Sequence, residues 1–337
     1  MHFFTKKMLI LHIDKQFKRL MNRKHILLSF LLLFCLPLCA QELREELLPF
    51  GDFESWTVRY INESKLIGGR TKTLYMIGPT DTVVSNKPFT PKGNSPWGSC
   101  NAHAYALGIH KVACAVSPER HGNGFCCRME TTLENITTLG IDLKALATGS
   151  IYLGRLADPV GMQHSSDPTS AIDMGMPFTK RPKALILDYK AFIQPGGGII
   201  TANAVKKVKQ VEGHDEGQIV LILQHRWEEN GHVYAYRVGT ATEHISKSTN
   251  GWQINHRLPV RYGDISHDSD FKPWENLWKE RFRTHNSKGK MVYIEEIGWN
   301  GNLAPTHLII QISAGCQKPF TARPGNVVWC DNIRLGY

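Results

Sequence analysis

Two carboxylates, one near each end of the chain, are the residues best placed to share an ion. Glu54 lies in Gly51-Asp52-Phe53-Glu54-Ser55-Trp56, and Asp331 lies in Val327-Val328-Trp329-Cys330-Asp331-Asn332-Ile333-Arg334-Leu335. Strand alternation puts Val327, Trp329, Asp331, Ile333 and Leu335 on one face. A carboxylate among apolar neighbours is costly to bury alone, so Asp331 needs a partner. One solution is a structural calcium shared by Glu54 and Asp331, because hard cations take carboxylate and carbonyl oxygens. The other is an Asp that caps a turn or accepts backbone N–H bonds. Either solution expects the first and last strands side by side, closing one domain.

Four other residues could contact a ligand. Arg128 and Glu130 share a strand face, near Glu119 and Arg120 in the preceding loop. They form either a polar binding cluster or a surface ion pair. Arg181, before Pro182, carries a planar five-donor fork suited to hydroxyl or carboxylate contacts. Trp97 sits in the turn-rich Asn94-Ser95-Pro96-Trp97-Gly98-Ser99, where an indole could serve as a stacking platform for a sugar ring. Trp274 and Trp278 fall in a charged insertion, whereas Trp56, Trp227, Trp252 and Trp329 lie in or beside strand patterns and are expected in the core. No residue is assigned to catalysis. Phosphate-binding loops, Gly-x-Ser-x-Gly elbows and His-Glu-x-x-His helices are absent, and Glu228-Glu229 and Glu295-Glu296 point to opposite sides of a strand. Cysteine and histidine show no ligand spacing, so zinc is not expected.

These side chains must be positioned by strands, since helical pattern is scarce. Gln218 to Leu223 is a continuous apolar run suited to a strand buried on both faces. In Trp252 to Tyr262 the alternation puts Ile254, His256, Leu258, Val260 and Tyr262 on one side. Ile151–Gly154, Ala184–Phe192, His307–Ser313 and the closing segment add further strands, separated by clusters such as Pro195-Gly196-Gly197-Gly198 and Glu229-Asn230-Gly231. Ile141 to Ala147 could make two helical turns, and Trp274, Leu277, Trp278 and Phe282 share helical spacing. The pattern predicts an all-β, jelly-roll-like β-sandwich over residues 49–337. Phe53, Leu187, Leu221, Leu258, Ile310 and Ile333 are expected in its core.

Ahead of that domain, Arg23-Lys24, the apolar run Ile26 to Leu38 and Ala40 read as a secretory signal over 21–40, with cleavage after Ala40 and lipidation of Cys39 as the second option. Residues 1–20 read as an upstream extension and 41–48 as a short leader. The apolar run is shorter than the roughly 20 residues of a membrane span. The expected location is therefore periplasmic, outer-membrane-associated or extracellular. Of the formal charge of +10, the first 40 residues hold seven basic and one acidic residue; what remains is 33 basic against 29 acidic, a net +4. Such a balance gives no support for nucleic acid as a partner. Cys100, Cys114, Cys126, Cys127, Cys316 and Cys330 follow the signal and are expected mostly as small core residues, with room for one bridge.

Taken together, Gly51 to Trp56, Gly149-Ser150-Ile151-Tyr152-Leu153-Gly154, Gly175-Met176-Pro177-Phe178-Thr179-Lys180-Arg181-Pro182, and Ser313-Ala314-Gly315 leading into Val328 to Leu335 resemble the PCMD family, the putative carbohydrate metabolism domain of exported Bacteroidetes proteins. The resemblance implies a fold related to carbohydrate-binding modules and a glycan as partner. Three readings follow: a non-catalytic glycan-binding module; a jelly-roll glycoside hydrolase or lyase; and a surface or adhesion subunit that binds protein. A shallow aromatic strip favours the first, and a deep cleft with two facing carboxylates favours the second.

Overall fold

A computed structural model describes residues 43–138, 141–165, 167–203 and 207–337, with backbone alone for 136–138 and 141–143. The expected signal peptide and upstream extension lie outside the described residues. The strands that build the main core are β1 (Glu45–Leu47), β2 (Val116–His121), β3 (Gly124–Glu130), β4 (Ser150–Leu156), β5 (Ala184–Phe192), β6 (Gly217–Glu229), β7 (His232–Ile245), β8 (Gln253–Pro259), β9 (Met291–Trp299), β10 (His307–Ser313) and β11 (Val327–Gly336).

Two sheets pack face to face. The six-stranded sheet runs β8-β5-β11-β3-β2, with β1 paired to β11. The ten-stranded sheet is centred on β4-β10-β6-β7-β9. Between them lie Leu185, Leu187, Val328, Cys330 and Ile333 from the first sheet against Ile219, Leu221, Leu223, Ile310 and Ile312 from the second. The six residues expected in the core are all buried there. β6 reads as an unbroken apolar run because both its faces are covered. Its alternate residues Val220 and Ile222 enter a second cluster with Ile294 of β9 and with Phe282 from the segment that crosses the far side. That segment is anchored by Arg237, which is fully buried. Its Nε donates to Glu296 at 3.0 Å and its NH1 to the Glu275 carbonyl at 2.6 Å.

The first and last described strands do lie side by side. β1 pairs antiparallel with β11, and Leu48 and Gly51 exchange backbone hydrogen bonds with Ile333.

In the six-stranded sheet, strand parity departs from simple alternation in two places, for one reason. Asn255 in β8 and Asn332 in β11 have left-handed backbones, φ 54° and 51°. Asparagine is among the few residues that tolerate this region. Each sits at a register shift against β5 and reverses the inside-outside pattern of its strand. In β11 this turns Val328 and Cys330 inward ahead of the bulge and Ile333 and Leu335 inward after it, leaving Trp329 and Asp331 outside. Asp331 is therefore not among apolar neighbours. In β8 the same device leaves Ile254 57% exposed while Leu258 stays buried. Asp188 of β5 ties both bulges: Oδ1 accepts from the Asn255 backbone N–H at 2.7 Å and Oδ2 from the Asn332 amide at 2.9 Å.

Other expectations need correction. Ile141–Ala147 is a strand, paired with Thr132–Thr138. The insertion's helical spacing yields only the 3-10 turn Pro273–Glu275. All six cysteines in the described residues are free thiols, without a bridge.

Removing the Asp188 carboxylate leaves two donors short of a partner in a nearly buried position, each worth about 1–3 kcal/mol. Asp188→Ala should therefore destabilise to a degree comparable with the cavity substitution Leu221→Ala, about 2–5 kcal/mol. Urea unfolding of the two variants checks this; an Asp188→Ala protein as stable as the parent would show that the bulges hold without their tie.

Candidate functional site

The outer face of the six-stranded sheet gathers the polar and aromatic side chains that the bulges turn outward. Register sets Lys190 of β5 opposite Trp329 of β11, and Trp329 opposite Arg128 of β3. Lys190 Nζ lies 4.1 Å from the Trp329 ring centroid and 5.5 Å from that of Trp252. The Trp329 indole N–H donates to Glu119 at 2.8 Å. Arg128 bridges two carboxylates, Glu119 at 3.1 Å and Glu130 at 2.7 Å. Trp252 stacks on His121, with centroids 4.0 Å apart and planes 15° apart. His121 Nδ1 is 2.8 Å from Asp331. Trp252 and Trp329 are both half-buried, so each keeps part of its ring at the surface.

Chemically this is a strip of two indoles edged by cations and carboxylates held in fixed pairs. An aromatic ring can pack against the C–H face of a sugar, while charged side chains reach its hydroxyls. Asp331 sits directly across from Asp188. Burial raises its carboxyl above the ordinary value, and the charge of Asp188 adds to the rise; His121 and the Asn332 N–H pull the other way.

The residues singled out in the sequence fare differently. Arg128 and Glu130 belong to this face, and Asp331 lies beside it. Trp97 does not offer a platform: it is 6% exposed, packs 5.9 Å from Phe53, and donates its N–H to the Pro49 carbonyl. Its turn-rich surroundings form a short strand, Trp97–Ser99, laid against β4. Arg181 spends its fork on the carbonyls of Leu303 and Gly301, at 2.9 and 2.6 Å, with the Tyr262 ring 4.2 Å from the guanidinium. It holds a loop. Glu54 accepts the Phe125 N–H at 3.1 Å, while Asp331 accepts the Asn332 N–H at 2.8 Å and engages His121. No contact joins the two carboxylates among the described residues.

Trp252 and Trp329 are the residues that the sequence assigned wrongly, to the core. The signal that finds them is an asparagine inside each strand pattern. Trp227 is also half-buried rather than core, 5.2 Å from Tyr236 on the β6–β7 hairpin. Trp274 and Trp278 are half-buried too. Among the described residues, the topology brings together Glu216, His244 and Cys316, a mixed set of donors that spacing along the chain does not reveal.

A separate polar group surrounds His307. Burial, reinforced by the Arg226 charge, pushes its imidazole down to about 4. The folded protein therefore takes up this proton later than the unfolded chain, whose His titrates near 6.5. Below that value the unfolded state binds more protons, so the native state loses stability as pH falls from about 6.5 towards 4. Thermal melts across that window should show a falling midpoint, and His307→Gln should flatten the fall. An unchanged slope in the variant would assign the effect to other groups.

The fold and the outer face define an all-β sandwich with an aromatic and ionic strip on one sheet. A family model described as "Putative carbohydrate metabolism domain", PCMD, matches residues 73–275, and the chain belongs to that family. The match includes Arg128, Lys190 and Trp252. Among solved structures, the chain is similar to two described as putative glycoside hydrolases. The one from Bacteroides thetaiotaomicron VPI-5482 is 17% identical, with 80% of this chain and 76% of that one covered at a TM-score of 0.43. The one from Bacteroides vulgatus ATCC 8482 is 15% identical, with 87% and 94% covered at 0.42. No curated protein matches the chain.

Proposed function

We propose that the protein is an exported glycan-binding module and that the strip of Trp252, Trp329, Lys190 and Arg128 is its binding surface, without catalysis. The observation that carries this reading is the cross-strand row in which Trp329 stands between Lys190 and Arg128. It joins a partly exposed ring to donors and acceptors already held in place, which lowers the cost of ordering them around a ligand. Membership of a family described by carbohydrate metabolism supports the same partner.

A hydrolase is the second reading, favoured by the facing pair Asp188 and Asp331 with its raised carboxyl. Two properties weigh against it. Both carboxylates are nearly buried, at 6% and 5% exposure. Both also have their oxygens committed: Asp188 to Asn255 and Asn332, Asp331 to the Asn332 N–H and His121. A general acid must reach the glycosidic oxygen within hydrogen-bond distance.

A glycan array with the purified protein, followed by calorimetry on the best ligand, tests the proposal. Trp329→Ala should weaken binding about tenfold or more, roughly 1.4 kcal/mol, while the melting temperature stays within a few degrees. Asp331→Asn should leave affinity unchanged. Reducing-end release from the bound glycan, abolished by Asp331→Asn, would instead establish the hydrolase. Full affinity in Trp329→Ala would move the binding surface elsewhere.

A further inference from the structure

Glu216, His244 and Cys316 are far apart in sequence, yet three adjacent strands bring them together. Glu216 immediately precedes β6, His244 lies near the end of β7, and Cys316 follows β10. Gln218 of β6 is opposite His244 on one side and Ser313 of β10 on the other, so the three side chains meet at the same end of the sheet. Their ligand atoms all lie within 4.8 Å of one another. A tetrahedral zinc ion holds its donors about 3.3–3.8 Å apart, given bonds of about 2.0–2.3 Å. The closing movement needed is about an ångström.

The geometry points to a binding site for a divalent ion of the zinc class on Glu216, His244 and Cys316, with a fourth coordination position left open. Sulfur, imidazole and carboxylate donors suit zinc and its borderline neighbours, not calcium or magnesium, which take oxygen alone. A carboxylate and a thiolate with neutral imidazole supply two negative charges against the ion's two positive ones.

The surroundings are built around these three residues. His244 Nδ1 is already 2.9 Å from Glu216, and the ring lies flat on Trp274, 4.0 Å between centroids and 8° between planes. Such packing fixes the imidazole orientation. The Cys316 backbone N–H donates to Asp215 at 2.9 Å, so the residue before Glu216 fixes the loop that carries the thiol. A Cβ on Gly315 would stand 2.8 Å from Thr148 Cγ2 and 2.9 Å from Asp215, so a larger residue there would displace the carboxylate that holds the loop. The Gln317 amide reaches the sulfur at 3.6 Å. All three ligands are half-buried, which leaves an ion a way in, and Glu216 also lines a cavity of about 640 Å³.

The same three residue types could instead suggest a nucleophilic thiol with a histidine base. Burial pushes the Cys316 thiol up to about 11, with Asp215 and Glu216 adding to the rise, so the free sulfur stays protonated at neutral pH. That opposes nucleophilic use.

Cobalt(II) added to the full, reduced chain is the test. One equivalent should give a sulfur-to-cobalt charge-transfer band that zinc abolishes. Cys316→Ser should remove the band and His244→Ala should weaken binding by more than the roughly 10–100-fold that loss of an outer-shell partner costs, while Cys114→Ser, a half-buried thiol elsewhere, should keep both. Zinc should also slow alkylation of Cys316 in the unmodified protein, read by peptide mass spectrometry, a result independent of whether any variant folds. No band in the parent protein, a band that survives in Cys316→Ser, or equal alkylation with and without zinc would each overturn the site.

Discussion

One carboxylate governs how the six-stranded sheet presents its outer face. Asp188 reaches across to both neighbouring strands and holds a left-handed asparagine in each, Asn255 in β8 and Asn332 in β11. Without the second bulge, period-two alternation would force Trp329 and Asp331 onto the same side as Ile333 and Leu335. The sheet would then have to bury a tryptophan and a charge or expose its own core residues. The bulge allows both halves of β11 to satisfy the core while the middle of the strand faces out. The aromatic strip and the core beneath it thus depend on the same polar contact.

This also explains what the sequence conceals. The all-β class, the central apolar run of β6 and the burial of Leu187, Leu221 and Ile310 are legible, because burial on one or both faces writes itself into apolar spacing. Arg128 and Glu130 are legible as a pair for the same reason, since no bulge separates them. Trp252 and Trp329 are misread because a single positive φ reverses parity, and an asparagine within a strand pattern is the only mark it leaves. Trp97 is misread for a different reason. Turn-type neighbours suggest a loop, but Gly98 is there because Tyr152 of β4 approaches within 2.5 Å of where its Cβ would be. The grouping of Glu216, His244 and Cys316 depends on strand order alone, which spacing along the chain does not encode.

The two sheets divide polar work differently. On the six-stranded sheet, charges line the outer face in pairs that remain partly hydrated, such as Arg128 with Glu119 and Glu130. On the ten-stranded sheet they go inside, where fully buried Arg237 is held by Glu296 and by the Glu275 carbonyl, with Trp278 and Trp299 at 4.5 and 5.0 Å. Breaking such a buried pair by removing one partner is far more damaging than losing a hydrated one. The covering segment is therefore locked to its sheet, while the charged pairs on the six-stranded sheet stay in contact with solvent.

The place of β11 within its sheet has a kinetic meaning. This strand, the last of the described chain, is central, with β5 on one side and β3 on the other. β5 and β3 pair with β8 and β2 on their other sides, but each lacks its inner neighbour until β11 arrives. Pairings of this kind join residues far apart along the chain, and closing such loops slows folding. Loss of β11 would leave β8-β5 and β3-β2 as two separate pairs and β1 without a partner, instead of shortening one edge.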